Sequence, residues 1–450
     1  MFLAAGISRI LEIANKVVCG PALVTILFAT GLYFTIRTGF LQVTCFPRVL
    51  HECIINPLKK KSTAGKGSIT PFQALATALG GTIGTGNIAG VATAISIAGP
   101  GAVFWMMVAA FFGMMTKYAE VVLAIKYRIR GASGEWTGGP MYYIQRGANM
   151  PRLAWVYAFI GIFASLASGN VVQSNSVAIA MDNAFHIPPA ATGIVLALVV
   201  GFTVAGGMKK IASVSQHLVP IMSIFYMAGA LIVIIANIYN IPSVIGLIIA
   251  GAFKPMAPVG GFAGASVAAA MRIGVSRGIF TNEAGLGSAS IAHSAADTRH
   301  PSHQGLWGIF EVFFDTIVVT FITTLAILTS GVWNNGLSGT TLTISAFETV
   351  LPNIGRYIIA VSLIFFAFSS IIAWSFYGQR CMEYIAGQRN VKYYIALFIF
   401  FTAAGAVAGL NLVWEVSDLL NGLMAIPNLI GVLLLGKWVV KLTREGMGQK

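Results

Sequence analysis

The sequence predicts an all-α membrane protein that crosses the bilayer about eleven times. Three observations predict this fold class. The chain of 450 residues is 57% hydrophobic and 9% charged, a composition that excludes a soluble globular domain. Apolar runs of about 20 residues recur along the chain, and each is long enough to span the hydrocarbon core as a helix. The basic residues fall mostly in short loops between these runs, where they act as topology signals.

The predicted spans follow the apolar runs in chain order. Their approximate limits are residues 17–36, 68–98, 102–125, 153–184, 188–206, 213–238, 262–296, 305–330, 354–379, 393–410 and 415–438. We group them as an extra N-terminal span with a basic loop (1–66), a first five-helix repeat (67–240) and a second one (241–445), in a single transmembrane domain. Because each repeat holds an odd number of spans, the second is inverted relative to the first.

The basic residues also predict the orientation. Alternation from the basic loop places about 21 of the Lys and Arg residues on the cytoplasmic side. It leaves four outside, namely Arg9, Lys16, Lys254 and Arg356. We therefore expect a cell (inner) membrane protein with an external N-terminus and a cytoplasmic C-terminus. The net charge of +14 then reflects topology, and we expect no nucleic-acid partner.

The stretch from Leu79 to Gly90 is the centre of the predicted function. It contains five glycines within an uncharged apolar run. Each interior glycine weakens a helix by about 1 kcal/mol, so we expect the helix to break here. Broken backbone at membrane depth is tolerated where it lines a cavity. Its free carbonyls suit a small cation, and the amides of the next half-helix suit a carboxylate. A glycine face for close helix packing is the alternative interpretation.

A similar stretch begins the second repeat. Gly285 to Ser290 corresponds to Gly84 to Ala89, and each lies in the first span of its repeat. Paired interrupted helices in corresponding positions of two halves indicate the substrate site of a secondary transporter. This pairing favours the binding-site interpretation over the packing interpretation.

Charged side chains inside the predicted spans need partners, because burying charge in the bilayer is costly. We expect Arg272 and Arg277 to pair with Glu311 and Asp315, which lie one helical turn apart. We expect Lys117 and Glu120 to form a local pair that reaches the membrane interface and has no functional role. Glu283 lies in an expected unwound segment. It would accept hydrogen bonds from the other broken helix or help to bind a substrate ammonium group.

Polar residues in two other spans are ligand candidates. Gln173 would hydrogen-bond a ligand or, equally well, a neighbouring helix. Ser369 and Ser370 would complete an oxygen shell for sodium or bond back to their own helix. Two loops are expected to be ordered: residues 134–144 as an interfacial helix, and residues 340–351 as a lid helix or a plain connector. The chain lacks the His-Glu-x-x-His motif of metalloproteases, and we do not expect an enzyme.

Five motifs in the chain are long and specific. They are Gly80 to Gly90, Pro100 to Trp105, Phe111 to Glu120, Gly138 to Tyr143, and Phe280 to Gly285. In these motifs, and over essentially its whole length, the chain resembles the alanine or glycine:cation symporter family. The resemblance implies the leucine-transporter-like fold of the amino acid-polyamine-organocation superfamily, with two broken helices and one extra N-terminal span.

The resemblance also implies binding sites for the ion and the substrate. A sodium site would use the carbonyls of Gly80, Ile83 and Phe366 and the hydroxyls of Ser369 and Ser370. The substrate carboxylate would meet the amides of Thr85 and Gly86, and its ammonium group the carbonyls of Thr82 and Phe280. The whole predicted substrate site comprises Thr82, Thr85, Gly86, Gln173, Phe280, Thr281, Asn282, Glu283, Ser370 and Trp374.

Three positions, Glu311, Glu283 and Trp374, depart from the fold's usual pattern. Asn87 and Thr281 match residues of a second sodium site in some relatives of the fold, but Glu311 stands where those relatives use a neutral amide. Glu283 replaces a small residue, and Trp374 replaces a slimmer aliphatic one. A bulky indole would shrink the pocket and favour alanine or glycine, because a larger substrate would overpack that wall.

The expected function is therefore a sodium-coupled symporter that imports alanine, glycine or both by alternating access. Sodium would be the coupling ion, no organic cofactor is needed, and a monomer in the lipid bilayer would suffice. The alternatives are a proton-coupled or uncoupled amino-acid transporter, an ion channel and a membrane enzyme.

Overall fold

The computed structural model describes residues 2–59, 64–131 and 134–448. Within them the chain is almost wholly helical. The region before the first predicted repeat contains α1 (Phe2–Val18), α2 (Pro21–Arg37), α3 (Leu41–Thr44), α4 (Phe46–Leu50) and α5 (Asn56–Lys59). The next region contains α6 (Pro71–Thr82), α7 (Ala89–Ala98), α8 (Gly101–Lys126), α9 (Pro140–Arg146), α10 (Pro151–Leu166), α11 (Val172–Phe185), α12 (Pro189–Val204) and α13 (Gly207–Ala236).

The remaining helices follow in the C-terminal half. They are α14 (Ile241–Phe253), α15 (Val267–Asn282), α16 (Ser288–Ser294), α17 (Pro301–Val312), α18 (Phe321–Thr329), α19 (Gly339–Glu348), α20 (Gly355–Ala386), α21 (Val391–Gly405), α22 (Leu410–Leu434) and α23 (Gly436–Met447). The strands β1 (Ile129–Arg130) and β2 (Trp136–Thr137) pair antiparallel, with Ile129 opposite Thr137. π-Helical turns cover His51–Ile55, Ala167–Val171 and Phe313–Thr320, and 3-10 turns cover Thr85–Asn87, Ile238–Asn240, Val332–Asn334 and Gln388–Asn390.

The prediction of a polytopic, all-helical membrane protein is confirmed. Seven stretches of the described chain are long and apolar enough to cross a membrane: Arg9–Arg37, Gly101–Lys126, Pro151–Phe185, Gly207–Ala236, Pro301–Thr329, Gly355–Ala386 and Val413–Leu434. The other four predicted spans correspond to the broken helices α6–α7 and α15–α16 and to the shorter helices α12 and α21.

One apolar helix has no counterpart among the predicted spans. The 13 residues of α14 are too few to cross a bilayer, which needs about 20. The helix packs against α8, where the Trp105 indole donates to the Ala252 carbonyl at 3.2 Å. The division of the chain into two repeats at residue 241 stays a prediction.

The two broken helices lie at the centre of the molecule. On one side α6 packs against α13 and α20, and on the other α15 and α17 pack along α8. The start of α6 is fixed by a capping box, in which Thr70 and Gln73 exchange hydrogen bonds of 3.1 and 3.0 Å, and by Pro71 in the first turn. The second broken helix also begins with a defined cap, because the Ser266 hydroxyl accepts from the Ala269 N–H at 3.1 Å at the start of α15.

Candidate functional site

The first broken helix is interrupted at Gly84, as predicted. Gly84 has extended backbone, and helical structure resumes at Ala89. A methyl group at Gly84 would lie 2.7 Å from the Ser370 hydroxyl oxygen, and one at Gly86 would lie 3.3 Å from the Phe280 ring. Glycine is needed at these two positions because α20 and α15 approach the broken backbone so closely.

Side chains satisfy the backbone groups that the first break exposes. The Gly84 N–H donates to Asn87 Oδ1 at 2.9 Å, and the Ile88 carbonyl accepts from the Thr343 hydroxyl at 3.2 Å. Thr343 belongs to α19, in the loop for which a lid and a plain connector were both expected. The structure shows a helix there that contacts the break directly.

Three of the five predicted sodium ligands lie together. The Ser369 hydroxyl donates to the carbonyl of Gly80 at 3.2 Å and to that of Phe366 at 2.8 Å. Gly80 lies on the last turn of α6 and the other two residues on α20, so these oxygens join the two helices. Carbonyls at the end of a half-helix, together with neighbouring oxygen ligands, coordinate sodium in broken-helix transporters.

Ser370 faces the first break, where its hydroxyl oxygen lies beside Gly84. Its hydroxyl is buried and has no hydrogen-bond partner within the described residues, and the same is true of the Thr85 hydroxyl. Gln173 reaches the same point from α11, where its Oε1 accepts from the Thr85 N–H at 3.4 Å. That distance is long for an N–H···O bond. Buried polar groups without good partners mark this point as a candidate ligand site.

Tyr377 also faces the first broken helix, and the sequence analysis did not identify it. Its hydroxyl is buried without a partner in the described chain and lies 2.9 Å from where a methyl group at Gly81 would be. The Trp374 ring packs edge-on against the Tyr377 ring, with 5.5 Å between centroids. Helical periodicity from Ser370 and Trp374 points to residue 377 on the same face, so the signal was present in the sequence.

Glu283 lies in the second break, which begins where predicted. It has a left-handed backbone with φ of 54°. Its carboxylate accepts from the Trp374 indole at 2.8 Å and from the Ser288 hydroxyl. In the structure Glu283 accepts from α20 and from its own broken helix. Its expected contacts with the other broken helix or with a substrate ammonium group stay predictions.

Trp374 is fixed by its surroundings on α10 and α11. The π-helical turn Ala167–Val171 brings Gly169 against it, and a methyl group at Gly169 would lie 2.1 Å from the Trp374 Cβ. π-Helical turns occur frequently at functional sites. The indole thus has a fixed position between the second break and the pocket.

Side chains on α8 and α22 form hydrogen bonds with the backbone that the second break exposes. The Gly285 N–H donates to Glu120 Oε1 at 2.9 Å, and the Gly285 carbonyl accepts from Asn428 at 2.8 Å. Glu120 is fully buried, and so is Lys117, which pairs with Glu311 on α17. The predicted interfacial pair of Lys117 and Glu120 is wrong, because α8 is enclosed by α15 and α17 and this turn faces the protein interior.

The expected pairing of Arg272 and Arg277 with Glu311 and Asp315 is also wrong. Arg277 pairs with Asp418 on α22, with 3.4 Å between Nη2 and Oδ2, and Arg272 is exposed. The arginines lie on the part of α15 that faces α22 and solvent, whereas both carboxylates lie on the buried side of the bundle.

Asn87 connects the first break to the π-helical turn Phe313–Thr320. Its Nδ2 donates to Asp315 Oδ1 at 2.8 Å and to the Thr320 hydroxyl at 3.0 Å. Thr281, the other residue predicted for a second sodium ion, donates its hydroxyl to the Arg277 carbonyl at 2.7 Å. Both residues therefore already have internal partners.

The two broken helices are joined on the predicted cytoplasmic side. The Ile69 N–H donates to the Ala295 carbonyl at 3.1 Å, and the Asp297 N–H donates to the Ile69 carbonyl at 2.8 Å. This parallel bridge links the start of α6 to the end of α16. Beside it opens a cavity of about 790 Å³ whose lining includes Thr70, Gln73, His217, Asp297, Arg299 and His303.

Arg128 reinforces this bridge. Its Nη1 donates to the carbonyls of Ser294 at 3.0 Å and Ala296 at 2.6 Å, and its guanidinium lies 4.3 Å from the centroid of the Trp136 ring. Burial lowers the pKa of Arg128 to about 10, so it keeps its charge at neutral pH. We call the Ile69 bridge together with Arg128 the inner clamp.

The loop expected to form an interfacial helix supplies part of this region. Its helix, α9, is present, but residues Pro140 to Ile144 are buried against the protein. The preceding strands form a hairpin that carries Trp136 to the clamp. The loop thus packs on the broken helices, whereas a membrane anchor was expected.

Comparisons with known proteins agree with this architecture. The family model described as "Sodium:alanine symporter family" matches residues 4–450. The chain is 44% identical over 438 residues to the sodium/alanine symporter AgcS of Methanococcus maripaludis, covering 96% of this chain and 95% of that protein. It is 46% identical over 442 residues to an uncharacterised transporter of Haemophilus influenzae, covering 98% and 96%.

A solved structure supports the fold. The crystal structure of MhsT in complex with L-phenylalanine superposes with a TM-score of 0.61 at 14% identity, covering 83% of this chain and 90% of that chain. This likeness shows a shared transporter fold, and the family match extends over nearly the whole sequence. The chain therefore belongs to the sodium:alanine symporter family and is a membrane transporter, not an enzyme.

Proposed function

We propose that the protein is a sodium-coupled symporter that imports alanine or glycine across the cell (inner) membrane by alternating access. Its N-terminus would be external and its C-terminus cytoplasmic. The observation that carries the proposal is the polar lining of the first break. The Ser369 hydroxyl joins the carbonyls of Gly80 and Phe366, and within the described residues the buried hydroxyls of Thr85 and Ser370 have no partner.

Sodium binds between α6 and α20 in this proposal. The ion takes the carbonyl oxygens of Gly80, Ile83 and Phe366 and the hydroxyl oxygens of Ser369 and Ser370. The Ser369 hydroxyl lies within hydrogen-bond distance of two of those carbonyls. Because sodium ligates both helices, it favours the outward-facing state in which they are aligned.

The amino acid then binds next to the ion. Its carboxylate meets the amides of Thr85 and Gly86 and displaces the long contact of Gln173 with the Thr85 N–H. Its ammonium group meets the carbonyls of Thr82 and Phe280. The Trp374 indole, held by Glu283, closes the side-chain pocket, so a small side chain fits best.

Two sets of contacts close the path in turn. On the outer side, the Phe280 ring packs against Trp414 with 5.1 Å between centroids, next to the pair of Arg277 and Asp418. On the inner side, the inner clamp joins the start of the first broken helix to the end of the second. Opening of one set while the other is closed gives alternating access around a fixed central site.

The clamp leads to a testable prediction for Arg128. We expect Arg128→Ala to favour the inward-open state, because the carbonyls of Ser294 and Ala296 lose their shared donor. In a variant without the native cysteines, Thr70→Cys in the inner cavity should then react with a membrane-impermeant maleimide roughly 3- to 10-fold faster, which corresponds to about 1 kcal/mol. Inside-out vesicles expose this side.

Arg152→Ala is the matched control for the clamp, because Arg152 is exposed at the start of α10 and takes no part in the bridge. It should leave the maleimide rate unchanged. If Thr70→Cys reacts with the maleimide at the same rate with and without Arg128→Ala, Arg128 does not hold the inner side closed.

The proposed function itself is tested by an uptake panel in proteoliposomes across amino acids and cations. Alanine or glycine should enter saturably, and sodium should be required. The name of the AgcS relative supports this choice of ion and substrate. Uptake unchanged in potassium or choline would refute sodium coupling. Unitary currents faster than carrier turnover would favour a channel, and chemical alteration of the amino acid would favour an enzyme.

A further inference from the structure

We propose that Lys117 is a tethered cation that takes the place of a second coupling ion, so that the transporter moves one sodium ion per amino acid. The inference rests on the proposed function, because it sets the stoichiometry of that same transport cycle.

Lys117 lies in the protein interior. Its side chain is fully buried on α8, and its Nζ lies 3.2 Å from Glu311 Oε1 on α17. Gly308 on α17 makes room for it, since a methyl group there would lie 3.1 Å from the Lys117 Cγ. Both charges have lost their hydration, so each depends on the other.

Glu311 contacts Lys117 through one carboxylate oxygen and His293 through the other. The other carboxylate oxygen, Oε2, lies 2.9 Å from His293 Nε2. His293 Nδ1 lies 2.9 Å from the Gln304 amide nitrogen, which can only donate. His293 thus lies between Glu311 and Gln304, and the Lys117 ammonium group supplies positive charge at the other carboxylate oxygen of Glu311.

The pair lies one helical turn from the contacts that brace the first break. Glu311 precedes Asp315 by four residues, and Asp315 accepts from Asn87 at 2.8 Å and from the Thr316 hydroxyl at 2.8 Å. At Asn87 the side-chain oxygen accepts from the Gly84 N–H, and the amide nitrogen donates to Asp315 and Thr320. Internal hydrogen bonds therefore link Asn87 to Asp315, and the nearby positive charge belongs to the Lys117 side chain.

A covalently attached ammonium group changes the energetics of coupling. A mobile ion bound here would cross the membrane with the substrate and add a second gradient to the driving force. The Lys117 ammonium supplies the same charge next to the broken helices but stays with α8. One sodium ion and a zwitterionic amino acid therefore carry one net charge per cycle.

The charge ratio is measurable with the full-length protein in proteoliposomes. Sodium and alanine gradients are fixed, the membrane potential is varied with potassium and valinomycin, and the potential of zero net alanine flux is found. We expect one charge per alanine. Sodium-dependent uptake with two charges would overturn this inference and leave the proposed function intact, whereas uptake indifferent to sodium would refute both.

Two variants test the role of Lys117 itself. Lys117→Met leaves Glu311 without its counter-ion, so the charge per alanine should rise from one toward two, and radioactive sodium bound to the purified protein should rise from one ion to two. Adding Glu311→Gln removes the carboxylate charge and should restore one ion and one charge. This double variant decides the question if Lys117→Met alone does not fold. One charge per alanine in folded Lys117→Met would overturn the inference. Two charges per alanine in the double variant would also overturn it.

Discussion

Replacing Ser369 and Ser370 together by alanine should raise the sodium concentration for half-maximal uptake by about 30-fold. The variant removes two hydroxyl oxygens from the proposed ion site. Each hydroxyl contributes about 1 kcal/mol net, so the two together contribute about 2 kcal/mol, which corresponds to that factor. The carbonyls of Gly80 and Phe366 remain, so we expect weakened and not abolished sodium dependence. Alanine uptake as a function of sodium concentration measures the effect.

Ser362→Ala is the matched control. Ser362 lies on the same helix, is fully buried, and its hydroxyl has no hydrogen-bond partner within the described part of the chain. It lies about one turn before Phe366 and outside the proposed ion site. The control should retain the wild-type sodium response. An unchanged response in the Ser369 and Ser370 variant, at equal amounts of folded protein, would refute the ion site.

Trp374→Ala should admit larger amino acids. Removing the indole opens the side-chain wall, so the preference for alanine over leucine should fall by about 10- to 100-fold, the range expected when a few methylene groups decide binding. The variant should also lose stability, by about 3–5 kcal/mol for a buried Trp→Ala change. Uptake of both amino acids, normalised to folded protein, gives the ratio.

Trp374→Phe separates the two roles of the indole. Phenylalanine keeps most of the bulk of the wall but cannot donate to Glu283, which accepts from the indole in the structure. If the wall sets specificity, this variant should still exclude leucine. Exclusion of leucine by Trp374→Ala as well would show that the indole is not the wall.

Much of the architecture was predictable from local patterns. Clustered glycines marked both helix breaks, because glycine weakens helices and such breaks need a polar lining. The helical face that carries Ser370 and Trp374 also contained Tyr377, which periodicity would have revealed. Hydrophobicity and length were sufficient to predict the long spans. The helix α14 was missed because its 13 residues are fewer than the roughly 20 that a span needs.

The partners of the buried charges were not predictable in the same way. Spacing along the chain places Lys117 beside Glu120, but the ammonium group pairs with Glu311, nearly 200 residues away. Arg277 likewise pairs with Asp418, far away in sequence. Local spacing identifies neighbours on one helix, whereas these pairs depend on how α8, α15, α17 and α22 pack together.

The most direct test of the account is alanine uptake driven only by a sodium gradient. Purified protein in proteoliposomes is given equal alanine on both sides and an inward sodium gradient at zero membrane potential. We predict that alanine accumulates inside above its external concentration and that a sodium ionophore abolishes the accumulation. Equilibration without accumulation, or equal accumulation with potassium or choline in place of sodium, would contradict the account.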